Sequence, residues 1–137
     1  MPLIKWDENF SVGVKIIDKQ HQRMIAILNR VYGMVESASN NIEEINQILK
    51  EMTDYADFHF STEEEYFLEF DYDKTAMHTQ LHNDYRERVA EFKKRFAAEL
   101  SNDILIDLSE FLDGWWIWHI KNTDKEYTQC FHDHGLF

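Results

Sequence analysis

Proline is nearly absent from this chain of 137 residues. The one example is Pro2, so nothing from Leu3 to Phe137 carries the residue that most strongly interrupts a helix. Cysteine is as scarce: Cys130 stands alone, which excludes an intramolecular disulfide and favours a reducing compartment, so a cytoplasmic location is expected. No long apolar run exists either. The most apolar short window, Gly114-Trp115-Trp116-Ile117-Trp118, is flanked by Asp113 and His119 and is far too short to span a bilayer. The stretch from Met1 to Glu8 lacks the basic start and apolar run of a signal peptide, so neither export nor a membrane span is expected. Basic residues are outnumbered, 14 against 26 acidic ones, and the formal charge of −12 repels nucleic-acid phosphates and anionic headgroups.

What is present suits a folded core. The chain is 44% hydrophobic and 15% aromatic, with 29% charged residues for the surface, and its length is that of one domain over residues 1–137. Apolar positions recur three and four apart in four segments, which predicts helices over about 18–37, 41–70, 74–100 and 103–131. Asp18 is the expected N-cap of the first, which carries Met24, Ile25, Leu28, Val31, Tyr32 and Val35 on one face. The second carries Ile45, Leu49, Met52, Ala56 and Phe60, the third Leu81, Tyr85, Val89, Phe92 and Phe96, and the fourth Leu105, Leu108, Leu112 and Trp115. Residues 1–17 show no such period and are expected to lie as an extended arm on the bundle. Short connections force successive long helices to run antiparallel, so the expected fold is all-α, an up-down-up-down four-helix bundle.

Five of the seven histidines fall on or beside these apolar stripes. His59 continues the Ile45 row with Glu63 next along it, His78 and His82 are i and i+4 on the third helix, His119 extends the Leu108 row, and His21 sits one turn before Met24. At ~1.5 Å of rise per residue, with alternating helix directions, all five lie ~24–33 Å from one end of the bundle and therefore together near the other. A lone histidine at a core edge is ordinarily satisfied by a neighbour's carbonyl, but five imidazoles buried with a carboxylate are costly without a shared ligand, and a metal ion uses their lone pairs. Five nitrogens and Glu63 exceed the four ligands of a structural zinc site, so two metals are more natural than one, with Glu63 bridging. Asp124 is the candidate second bridge, although its i+5 offset from His119 is ~140° round a regular helix.

The combination resembles the hemerythrin family, in its stand-alone bacterial form. The residues that carry the likeness are Trp6-Asp7, Ser11-Val12-Gly13-Val14, Ile17-Asp18-Lys19-Gln20-His21, His59-x-x-x-Glu63, His78-x-x-x-His82 and His119-x-x-x-x-Asp124. Each piece alone is weak, and their order on four amphipathic helices is specific. The resemblance implies two iron ions in a non-haem di-iron centre. His78, His82 and His119 would hold one iron, His21 and His59 the other, and Glu63, Asp124 and an oxo or hydroxo group would bridge them. It further implies an open position on the second iron for dioxygen and reversible oxygen binding for storage, delivery or buffering, not enzyme activity. A di-iron redox enzyme, an oxygen or redox sensor acting through a partner, and a structural zinc bundle are the alternatives. A monomer is expected, complete as one domain, with any oxygen-consuming partner unidentified.

Many relatives have leucine three residues before the fourth-helix histidine, where this chain has Trp116. Trp116 is expected either to wall the oxygen pocket or to serve as packing, and Ile25, Phe60 and Ile120 are further candidates for that wall. Within Glu63-Glu64-Glu65 only the first is expected to face the site. His132-Asp133-His134 is expected to be a solvated tail and Cys130 an unpaired thiol. No glycine-rich phosphate loop or serine-histidine-aspartate order is apparent.

Overall fold

A computed structural model describes residues 3–137; Met1 and Pro2, the start of the expected arm, lie outside the described residues. Four long helices dominate: α1 (Lys15–Glu36), α2 (Ile42–Glu69), α3 (Thr75–Ala98) and α4 (Asn102–Trp118), and a short α5 (Thr128–Asp133) follows. No strand occurs among the described residues.

Local chemistry starts these helices. Asn41 accepts from the N–H groups of Glu43 and Glu44, whose own charges suit the positive end of the α2 dipole. Ser101 likewise accepts from Asp103 N–H at the start of α4. The reading of Asp18 as an N-cap needs correction. Helix α1 begins at Lys15 after Val14, which makes no side-chain cap, and Asp18 sits inside the first turn. Its carboxylate reaches back to the arm instead, accepting from the Ser11 hydroxyl (2.6 Å) and Val12 N–H (2.9 Å). The arm itself contains a 3-10 turn, Glu8–Phe10.

The connections α1–α2, α2–α3 and α3–α4 are short, so neighbours run antiparallel, and α1 packs on α4 to close the square. The interior has two apolar clusters. The larger runs down the bundle and includes Met24, Leu28, Met52, Phe60, Val89, Leu108 and Trp116. The smaller joins Val12, Val14 and Ile17 to Phe67, Tyr72, Tyr127 and Phe131 at one end. No described helix is long and apolar enough to cross a membrane.

The last predicted helix is not one rod. After Trp118 the chain makes a π-helical turn, His119–Thr123, then a 3-10 turn, Asp124–Tyr127, before α5. The C-terminal end is also no free tail. Thr128 donates its hydroxyl to the Val12 carbonyl (2.6 Å), and His132 Nε2 bonds the Gly13 carbonyl (2.7 Å). His134 Nδ1 bonds the Cys130 carbonyl at 2.8 Å and its ring stacks on Phe70.

Candidate metal centre

The six residues singled out by spacing, and Asp124, the candidate that spacing disfavoured, meet between the two apolar clusters. His21 comes from α1, His59 and Glu63 from α2, His78 and His82 from α3, His119 from the start of the π turn and Asp124 from its end, and each is essentially inaccessible to solvent. Asp124 is within reach because the π turn closes an i+5 bond, its N–H donating to the His119 carbonyl. That extra residue per turn brings His119 and Asp124 to one face, where a regular helix separates them; such turns recur at functional sites.

The ligating atoms form two overlapping groups able to hold a metal ion, Glu63 with His78, His82 and His119, and Glu63 with His21, His59 and Asp124. His21 Nε2 is 3.2 Å from His59 Nε2, and His78 Nε2 is 3.1 Å from His119 Nε2. Asp124 spans both, with Oδ1 at 3.0 and 2.9 Å from His78 and His119, and Oδ2 at 2.8 and 3.8 Å from His21 and His59. Glu63 Oε1 is 3.3 Å from His59 Nε2 and 3.2 Å from His82 Nε2.

These spacings fit cations. Two donors bound at ~2.1 Å and at right angles to each other are about 3 Å apart. Without a cation, both Glu63 oxygens, both Asp124 oxygens and His82 Nε2 have no protein hydrogen-bond partner despite being buried. Burial works against ionising Asp124, but the imidazoles of His119, His21 and His59 outweigh it and hold the carboxyl well below its usual range. Burial and the Asp124 charge oppose ionisation of Glu63 in the same way, and His59, His82 and His78 lower it nonetheless. Burial disfavours the charged His82 ring, yet Glu63 and Glu64 raise it to about 9. The pocket is thus a nest of imidazoles around two carboxylates that stay anionic, the donor chemistry that iron and zinc share.

The groups behind the ligands escaped the sequence reading. Gln20 Oε1 accepts from His59 Nδ1 at 2.7 Å, and Gln20 Nε2 donates to the Thr62 hydroxyl at 3.2 Å. Glu64, expected to be solvated, lies 3.7 Å from His82 Nδ1 and 3.6 Å from Arg86. Gln20 stands within the motif that ends at His21, and Glu64 directly follows Glu63, but neither position assigns a role. Tyr127, one turn beyond Asp124, buries its hydroxyl, and its proton is held firmly by burial and by the nearby Glu63 and Asp124 charges.

Aromatic rings press on the imidazoles. Phe60 lies flat on His82, centroids 3.9 Å apart. Trp116, not Trp115, is the fully buried member of the pair, with its ring 5.9 Å from His59 and 5.6 Å from Phe60; Trp115 is half-buried and stacks on His119 at 4.3 Å. Ile25 and Ile120 are buried in the same larger cluster.

A model of the hemerythrin HHE cation binding domain matches residues 12–130. The chain is 34% identical over 128 residues to a bacteriohemerythrin of Stenotrophomonas maltophilia (strain R551-3), covering 93% of this chain and 81% of that one. Its identity to a bacteriohemerythrin of Clostridium acetobutylicum is 27% over 124 residues, covering 89% and 96%. A crystal structure of wild-type hemerythrin superposes with a TM-score of 0.82 at 28% identity, over 94% of this chain and 98% of the other. Two hemerythrin variants, in which a leucine is replaced by tyrosine or alanine, superpose with the same score. With the four long helices and all seven buried donors inside the matched span, the chain belongs to the hemerythrin HHE cation binding domain family.

Proposed function

We propose that this protein binds dioxygen reversibly at a non-haem di-iron centre, in storage, delivery or buffering. The observation that carries the reading is the sharing of Glu63 and Asp124 between two buried histidine groups. His78, His82 and His119 would hold one iron and His21 and His59 the other, with the two carboxylates as bridges. When bound in the ferrous state, such a pair supplies two electrons to dioxygen and takes them back on release.

The protein's part is to limit the reaction. The side with His21 and His59 is one imidazole poorer, so an iron held there would keep a coordination position for a small gas. Five imidazoles against two carboxylates, each ring neutral once bound to a metal, would favour ferrous iron over highly oxidised states, unlike the carboxylate-rich sites of ferritin-like bundles. Phe60 and Trp116 on one side, and the cluster of Phe67, Tyr127 and Phe131 on the other, exclude the water and protons that would drive irreversible oxidation. Glu63 and Asp124 keep their negative charge inside this dry shell because the imidazoles face them.

The test is metal analysis joined to visible spectroscopy through repeated cycles of anaerobic reduction and air. Two irons per chain, with a visible band that comes with oxygen and leaves on its removal, is the expected result. Zinc with no chromophore, or oxidation at first exposure to air with turnover of a peroxide or nitric oxide substrate, would overturn the reading.

A further inference from the structure

The two halves of the centre are backed by groups of different charge. On one side His82 Nδ1 has the Glu64 carboxylate 3.7 Å away, and that carboxylate is steadied by Arg86, itself bonded to Asp57 at 2.8 Å. On the other, His59 Nδ1 donates to the neutral amide oxygen of Gln20 at 2.7 Å. An anion behind an imidazole makes its opposite nitrogen a stronger donor, whereas an amide orients the ring without adding charge. The first half also has three imidazoles against two.

Building on the two-metal reading above, we propose that the centre fills in a fixed order: a divalent cation enters the His78, His82 and His119 half first, and the His21 and His59 half second and more weakly. Glu64 is the positioning residue that sets the first affinity and Gln20 the one that sets the second. The shared carboxylates reinforce the order. Glu63 and Asp124 are common to both halves, so the first cation draws on their charge and repels the second.

The experiment is calorimetric titration of the metal-free full chain with zinc alone, then with cobalt alone, which needs no oxygen chemistry. Two equivalents binding in two resolved steps are expected. Glu64→Gln should weaken the tighter step about 10- to 100-fold and leave the weaker one in place, and Gln20→Ala should weaken only the second step by a similar factor. Glu64→Asp, which keeps the charge, should retain the tight step, separating charge from any effect on folding. Two equal steps, or the two substitutions acting on the opposite steps or on both alike, would overturn the order. A single equivalent at saturation would instead overturn the two-metal reading on which it stands.

Discussion

Trp116 fills the space beside His59 with the largest side chain available. Its ring meets that of Tyr85 edge to face at 5.3 Å. Replacing it with leucine opens a cavity against His59 and Phe60, at about 2 kcal/mol of stability, while touching none of the seven donors. Trp116→Leu is therefore expected to change the rate at which oxygenated protein loses its colour, with iron content intact; an unaltered rate would place Trp116 outside the gas pocket. His119→Ala and Glu63→Ala should each lower iron below two per chain, read by metal analysis, because each removes a donor from a buried group whose other members remain. Full occupancy in both would undo the ligand assignment. At this scale the donors were legible because imidazoles on apolar stripes are conspicuous. Gln20 and Glu64 were not, since an amide beside a histidine and one acid in a run of three look alike whether they face solvent or a ring. Which of Trp115 and Trp116 is the more deeply buried was left open for a related reason: a one-residue difference is ~100° round the helix, and the pattern near the π turn does not say which of two adjacent rings faces further inward.

Helix by helix, apolar periodicity was enough to reveal the four long elements, though not the start of α1 or the end of α4. The π turn was not visible, because an i+5 bond leaves no hydrophobic period of its own. One backbone position invites a direct test. Ala38, which ends α1, takes φ of +49°, a left-handed conformation that costs a residue with a Cβ roughly 1–2 kcal/mol. Ala38→Gly relieves that strain and gives back part of the gain through a more flexible unfolded chain, a net of about 0.5–1 kcal/mol. A melting temperature higher by about 2 °C, with unchanged metal content, is the expected result, and a lower one would show that the turn carries no strain.

Considered as a whole, the molecule seals its centre with its own two ends. The arm and the C-terminal stretch build the smaller apolar cluster over the donors, and Asp18, Thr128 and His132 tie them down. Asp18→Ala removes two hydrogen bonds to a carboxylate, a loss of about 2 kcal/mol for a partly buried pair. The variant should melt several degrees lower and surrender its metal faster to a chelator, and unchanged release would mean that the cap does not control access. Bundle closure was legible from the short loops; the clamp was not, because contacts between distant ends have no local signature. The π turn that delivers Asp124 lies far along the chain from His21. A nascent polypeptide emerging from the ribosome has His21 early and Asp124 only much later, so the cradle stays open on one side throughout most of synthesis. Cations that between them use all seven donors can then be captured only once Asp124 has joined the other six, after most of the chain has been made.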